Sequence, residues 1–493
     1  MKAWRKACGA MFAISFLWSS CAVTNASDFD QKAAAAVDEV FGDFAKPGSP
    51  GCALGVYRDG QIIYAKGYGL ANLEENVPIT PQSVFDIGST SKQFTAASIL
   101  LLEKQGKLSV NDDVRGHIPE LPDYRQKITI LHLLNHTSGL RDYLTLMELA
   151  GINTDSVTTD DEALALIARQ QALNFAPGSD WLYSNTGFFL LSVIVKRASG
   201  KTLREFAREN IFVPLGMTHT EYRDDHAWLI PNRALAYDPK QDSDGYRLDV
   251  SYFEQTGDGA VHTSVGDLLK WDENFYSAQL GGKVFLDEIA EPGKLNNGKV
   301  LDYAKGLFLQ EYRGLQTVSH AGAWGGYRAQ LLRFPKQHFS VACLCNVGNA
   351  DPSRRAEEVA DIYLGSRMKP KDPRKEDQDA AEKEKKRGDV TLTTEELQLY
   401  TGDYWSDELG VTYRLGTRDG DIKLIAVLDP SGVPRTNNFS PSELRSAGRD
   451  QFKVGDGSAT LRFQRGTRGA ATGFTLDAGR TTGVSFHRRT GAR

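Results

Sequence analysis

Between Met368 and Asp389 the chain is dominated by Lys, Arg, Glu and Asp, and it is broken by Pro370 and Pro373. Charged side chains are rarely buried without partners, so no continuous core can run through such a stretch. Residues 366–392 therefore read as an exposed linker, compatible with a helix over 375–387. Whatever folds must be built separately from the residues before 366 and from 393–493. A length of 493 residues allows two to four domains.

The first part carries strand signals at both of its ends. Residues 28–46 are amphipathic, with Val37, Val40, Phe41 and Phe44 among the apolar positions, and Pro47-Gly48-Ser49-Pro50-Gly51 stops them. A hairpin follows: Cys52–Tyr57, a turn at Asp59-Gly60, then Ile62–Ala65. Asp-Gly between apolar runs is a strong hairpin signal. Residues 91–106 are predicted to form a helix ended by Gly106, and 187–198 another. Strands return at Gln316–His320, Tyr327–Phe334 and Phe339–Val347, with Arg354–Leu364 as a closing helix. The middle, about 107–315, is mostly helical. A sheet assembled from both ends around a helical insert predicts an α/β sandwich. In 393–493 short alternating segments (411–415, 422–427, 459–463, 484–487) sit between Gly, Asp and Ser turns, which predicts a small antiparallel barrel.

Lys2, Arg5 and Lys6 precede an apolar run, Ala10–Trp18, and small residues follow through Ser27. This is the pattern of a secretory signal at 1–26, cleaved after Ala26, with lipidation at Cys21 as the alternative. The run is too short to span a bilayer. A secreted or periplasmic protein is expected. Three cysteines then remain, Cys52, Cys343 and Cys345, too few for a disulfide framework; Cys343 and Cys345 read as buried thiols on one face of a strand. No C-x-x-C or H-E-x-x-H occurs, so neither metal nor cofactor is expected. A net charge of −5 gives no sign of a nucleic-acid partner.

Three separated patches carry chemistry. In Ile87-Gly88-Ser89-Thr90-Ser91-Lys92 a glycine turn leads into a helix, and the i, i+3 spacing puts a hydroxyl and an amine on one face. A serine nucleophile needs a base, and a desolvated lysine can serve. Spacing alone decides little, since Ser366 and Lys369 share it within the linker. The second patch is Tyr183-Ser184-Asn185. The third is His320-Ala321-Gly322-Ala323, where a strand edge meets a glycine-rich turn. Taken singly, Ser89 reads as a helix cap and Lys92 as a solvated lysine; His136, His262 and Ser91 read as structural.

Together, in this order, the patches resemble the boxes of the penicillin-recognising serine hydrolases. Ile87–Thr95 is similar to the first box of the class C β-lactamase-related family. Leu133–Leu140, Pro214–Met217 and Gly257–Ser264 are similar to further segments of it, and the likeness is collinear over about 30–365. The C-terminal part resembles the lipocalin-like module appended to some members. The resemblance implies a β-lactamase/transpeptidase-like α/β fold: an antiparallel sheet flanked by helices, an all-helical region, then a small antiparallel β-barrel. It implies Ser89 as nucleophile and acyl carrier, with Lys92 and Tyr183 sharing acid/base work. Asn185 would hold the acyl-side amide. The backbone N–H groups of Ser89 and Ala323, past the box glycine Gly322, would form the oxyanion hole. His320 takes the first place of the third box, where β-lactamases and carboxypeptidases of the group usually carry lysine.

That histidine, only partly charged near neutral pH, points away from β-lactam or D-Ala-D-Ala chemistry. A His-x-Gly box resembles the D-aminopeptidase branch. The expected activity is exported hydrolysis of small amides or peptides containing D-residues. Alternatives are a carboxylesterase, a β-lactamase or D-Ala-D-Ala carboxypeptidase, and a catalytically weak penicillin-binding sensor or scaffold. The barrel is a candidate oligomerisation element.

Overall fold

The computed structural model describes residues 28–153, 156–371, 392–435, 442–455, 457–467 and 469–489. The leader with Cys21, and most of the charged linker including 375–387, lie outside the described residues.

Helix α1, Asp28–Val40, leads into the hairpin β1, Cys52–Arg58, and β2, Gln61–Tyr68. The other strands of this sheet come from much later in the chain: β3, Tyr303–Ala304; β4, Leu307–Tyr312; β5, Leu315–Trp324; β6, Tyr327–Phe334; and β7, Phe339–Cys345. The order is β3-β4-β5-β6-β7-β1-β2, so the first and last segments of this part meet at the β7–β1 seam. That is the expected sheet built from both ends, extended by β3 and β4, which lie within the 107–315 stretch expected to be mostly helical.

Both faces of the seam strands are covered, which is why they read as continuous apolar runs. On β1, Cys52, Leu54 and Val56 join a core with α1 and the helix α4, Pro352–Leu364. Ala53 and Tyr57 face the opposite core, which contains α2, Lys92–Lys104, and α3, Asn185–Ser199. The β1–β7 register sets Cys52 directly opposite Cys345, and the two form a disulfide. This corrects the expectation of free thiols. The pairing joins residues 293 apart in sequence, so no local spacing announces it. Cys343 does point to the same face and is a buried free thiol.

The C-terminal part is a closed barrel. Its strands are β8, Gly402–Ser406; β9, Val411–Arg418; β10, Asp421–Leu428; β11, Ser442–Gly448; β12, Gln451–Val454; β13, Ala459–Arg465; β14, Ala471–Ala478; and β15, Thr481–Arg488. Each pairs with its chain neighbour, and β15 pairs with β8 to close the ring; a two-residue strand, Pro434–Arg435, adds to β10. Eight strands leave an interior that side chains can fill. Here Tyr404, Tyr413, Phe463, Phe474 and Phe486 fill it, with ring centroids 4.5–6.5 Å apart.

The barrel is docked on the helical region through a dry seam. Arg141 and Glu408 form an ion pair with side chains 1% and 3% exposed. Arg141 also donates to the carbonyls of Thr482 and Gly483 and to Gln170 Oε1, while Glu408 accepts from the backbone N–H groups of Gln171 and Ser485. Tyr413 Oη donates to the Leu149 carbonyl from the barrel wall. Among the described residues, no helix is long and apolar enough to cross a membrane.

Candidate active site

Ser89 lies on a tight 3₁₀ turn, Gly88–Ser91, and α2 proper begins at Lys92. It is therefore not a helix cap, and it sits one 3₁₀ turn ahead of the α2 start. From Ser83 to Leu102 every residue is buried except Ser89. The turn is wedged against β5. A Cβ on Gly322 would fall 1.8 Å from the Ile87 carbonyl oxygen, and one on Gly88 would fall 2.6 Å from the Ala323 nitrogen. Only glycine at both positions lets the two backbones approach so closely. Thr90 Oγ1 donates to the His320 carbonyl and fastens the contact. The third box lies inside β5 rather than at a strand edge; its turn, Gly325-Gly326, comes two residues later.

Lys92 is fully buried. Its Nζ donates to Ser89 Oγ at 3.0 Å, Asn185 Oδ1 at 3.0 Å and the Asp258 carbonyl at 2.6 Å. An ammonium spends all three protons on these acceptors. A neutral amine keeps two of the bonds and turns its lone pair to the Ser89 hydroxyl, so both protonation states are satisfied. Burial pushes the Lys92 pKa down; Asp258 and Asp142 pull it back, and Arg480 lowers it further. The Asp258 carboxyl is raised by burial, Lys92 opposing, and its Oδ2 accepts from Tyr143 Oη at 3.0 Å.

Tyr183 lies beside Lys92, with Nζ 4.9 Å from its ring centroid. Its hydroxyl oxygen is buried without a well-formed hydrogen bond, although Ser89 is close enough to ease its pKa down. Burial dominates and raises it, so the phenol keeps its proton. Asn185 opens α3; its N–H donates to Asp142 Oδ2 at 2.6 Å and its Oδ1 is taken by Lys92. Asp142 also caps the helix Tyr143–Leu149.

His320 is buried, and its pKa falls to about 3, burial first and Lys92 second. It is neutral at physiological pH, not partly charged as expected from sequence. The surrounding hydrogen bonds assign the tautomers. The Ser184 N–H donates to His136 Nδ1 at 3.2 Å, so His136 Nε2 carries the proton and donates to Tyr303 Oη at 3.0 Å. Tyr303 then turns its own proton to His320 Nε2, at 3.4 Å, and His320 Nδ1 donates to the Ala321 carbonyl at 2.6 Å. His136, read from sequence as structural, is buried in this chain and packs 4.2 Å from the Tyr183 ring. His262 is buried and lines the same cavity without joining this hydrogen-bond chain, and Ser91 Oγ accepts from the Val261 N–H.

Ser89, Tyr183, Asn185, His320, Gly322 and Ala323 all line one cavity of about 530 Å³, with Lys92 beneath its floor. Asp142, Asp258, Tyr303 and Arg480 belong to the same site and were not singled out from sequence. Asp258 stands in the quoted Gly257–Ser264 segment, which was its one available signal. Arg480 comes from the barrel, where nothing local marks it.

The Beta-lactamase family profile matches residues 29–364. Penicillin-binding protein 4* of Bacillus subtilis strain 168 is 34% identical over 303 residues, 58% of this chain and 66% of that protein. The D-aminopeptidase of Gluconobacter oxydans strain 621H is 27% identical over 382 residues, 77% of this chain and 68% of that one. The chain thus spans about two thirds of the length of these relatives. The structure of an octameric penicillin-binding protein homologue from Pyrococcus abyssi superposes with a TM-score of 0.60 at 22% identity, over 93% of this chain and 99% of that one. That likeness of fold runs through the barrel as well.

Proposed function

Because the chain belongs to the Beta-lactamase family of serine hydrolases, we propose that it hydrolyses small amides or peptides through an acyl-enzyme at Ser89. D-residue-containing peptides are the substrate class, as the D-aminopeptidase relatives suggest. The observation that carries this reading is the buried Lys92 Nζ, 3.0 Å from Ser89 Oγ and shifted toward its neutral form.

The two ionisable neighbours of Ser89 are pushed in opposite directions, which divides their roles. Lys92, with its pKa lowered, takes the Ser89 proton as Oγ attacks the carbonyl carbon. Tyr183, with its pKa raised, is the phenol that protonates the departing amine. The oxygen that becomes negative is met by the N–H groups of Ser89 and Ala323, from segments that Gly88 and Gly322 hold in contact. After the amine leaves, the Lys92 ammonium returns its proton to the Tyr183 phenolate. Water then repeats the sequence on the acyl-enzyme. His320 acts as a neutral imidazole whose ring lies 6.0 Å from Tyr183, fixing the wall beside it.

The Cys52–Cys345 disulfide supports an oxidising, exported setting for the mature chain. Self-association belongs to the same reading, since the Pyrococcus homologue is octameric. The experiment is a panel of D- and L-aminoacyl anilides, nitrophenyl esters and a chromogenic cephalosporin, with Ser89→Ala as control. Turnover of D-anilides that Ser89→Ala abolishes is the expected result. Ester turnover without any amide turnover would replace the amidase reading by an esterase.

A further inference from the structure

The β14–β15 hairpin reaches out of the barrel into the catalytic cavity. Ala478 pairs with Thr481, leaving Gly479-Arg480 as a two-residue turn, and Gly479 adopts φ +50°. The turn is fixed by its backbone. The Arg480 carbonyl accepts from Asn174 Nδ2 at 3.0 Å, and Asn174 Oδ1 accepts from the Thr482 N–H and hydroxyl at 2.9 and 3.0 Å. The Asp142 N–H also donates to the Arg480 carbonyl. The side chain is thereby aimed without spending its own donors. It lines the cavity with its guanidinium carbon 4.8 Å from the Tyr183 ring centroid.

Among the described residues the guanidinium forms no hydrogen bond. The nearest carboxylate oxygen, Asp142 Oδ2, is 4.0 Å away and already accepts from the Asn185 N–H. The side chain is 44% exposed and belongs to the cavity lining. The other cations of the site are engaged. Lys92 has three acceptors. Arg223 donates to the carbonyls of Ser251 and His226, and Arg328 to those of Gly325 and Tyr327. His320, at the place where a cation is expected to face a substrate carboxylate, donates its Nδ1 proton to the Ala321 carbonyl.

We propose that Arg480 is the carboxylate-binding residue of this active site, so that the barrel supplies the substrate's anion subsite and selects peptides that carry a free carboxylate. The planar fork of an arginine matches a carboxylate with two parallel hydrogen bonds, and it stacks on an aromatic face while doing so. The cation that a lysine in the third box would provide comes instead from the far end of the chain. The inference rests on the hydrolase reading above.

The test is titration calorimetry of the full chain in a Ser89→Ala background, with N-acetyl-D-alanyl-glycine and its C-terminal carboxamide as the two probes. The acid is expected to bind about tenfold more tightly than the carboxamide, the usual scale of a charge-assisted pair at a half-exposed site. Arg480→Gln should reduce the difference to less than about twofold, and Arg480→Lys should keep part of it. Equal binding of the two probes, no binding of either, or a preference that survives Arg480→Gln overturns the assignment. Melting curves show whether each variant is folded. If Arg480→Gln is not, the acid-to-amide ratio of the arginine and lysine forms still decides. Turnover of the anilide and ester panel by the Ser89-intact chain is measured alongside. Its absence overturns the hydrolase reading while leaving the calorimetric comparison valid.

Discussion

Replacing Glu408 by alanine strands a charge inside the seam between barrel and helical region. Arg141 is 1% exposed, and its partner carboxylate also accepts the N–H groups of Gln171 and Ser485. Removing one member of a buried pair costs about 3–5 kcal/mol, because the remaining charge cannot be hydrated where it lies. Two orphaned backbone donors would add about 1–3 kcal/mol each if water stayed out. The smaller total, about 4 kcal/mol, assumes that water enters the space left by the carboxylate. Against a typical net stability of about 5–15 kcal/mol this is a large fraction. Urea unfolding followed by tryptophan fluorescence should show a lower midpoint at unchanged slope. The paired replacement Arg141→Met with Glu408→Leu removes both charges and should recover the part due to the stranded charge, while the N–H groups of Gln171 and Ser485 stay without an acceptor. Arg141 also holds the carbonyls of Thr482 and Gly483, so the single variant should loosen the hairpin that carries Arg480. A loss below about 1 kcal/mol would refute the reasoning, since it would mean that Arg141 reaches water and the seam is not dry.

Tyr183→Phe removes the proposed proton donor to the leaving group and should lower kcat on an anilide by about 10²–10⁴-fold, and by less on a nitrophenyl ester whose leaving group needs no proton. Gly322→Ala places a methyl 1.8 Å from the Ile87 oxygen and 3.1 Å from the Ser89 nitrogen, so turnover should fall at least about 100-fold as the Ser89 turn shifts. The acidic limb of kcat/KM should rise as pH rises through the Lys92 pKa, because only the neutral amine accepts the Ser89 proton. Burial lowers that pKa, the carboxylates Asp258 and Asp142 oppose, Arg480 assists, and Tyr183, His136 and His320 stand near it uncharged. Arg480→Gln deletes the assisting cation, so a pH–rate profile should show this limb displaced to higher pH. Maleimide counting on the denatured, unreduced chain starting at residue 28 should find one thiol, Cys343, and Cys52→Ser with Cys345→Ser should cost about 2–5 kcal/mol in urea.

The proposed catalytic residues were legible in sequence because each sits in a short segment whose neighbours serve it. Gly88 lets Ser89 approach β5, Ser184 precedes the helix that Asn185 opens, and Gly322 follows His320 by two positions. Five of the seven strands of the sheet were legible for a related reason, since they read as apolar runs bounded by turns; β3 and β4 lie in the stretch expected to be mostly helical. The rest depends on register and docking. Cys52 meets Cys345 because β1 pairs with β7. The neutrality of His320 follows first from its burial and then from Lys92 nearby, neither of which its own motif announces. Arg480 reaches Tyr183 because the seam at Arg141 and Glu408 orients a barrel hairpin toward the cavity. None of these relations is encoded by spacing, so a motif-based reading finds the proposed nucleophile and base but not the groups packed around them.

The most direct measurement is mass spectrometry of the protein quenched during turnover of a slow D-aminoacyl ester or anilide, followed by peptide mapping. The expected result is an acyl adduct on the peptide containing Ser89, formed and lost at rates that match turnover and absent in Ser89→Ala. An adduct on another residue, or undiminished turnover by Ser89→Ala, would contradict an acyl-enzyme at Ser89.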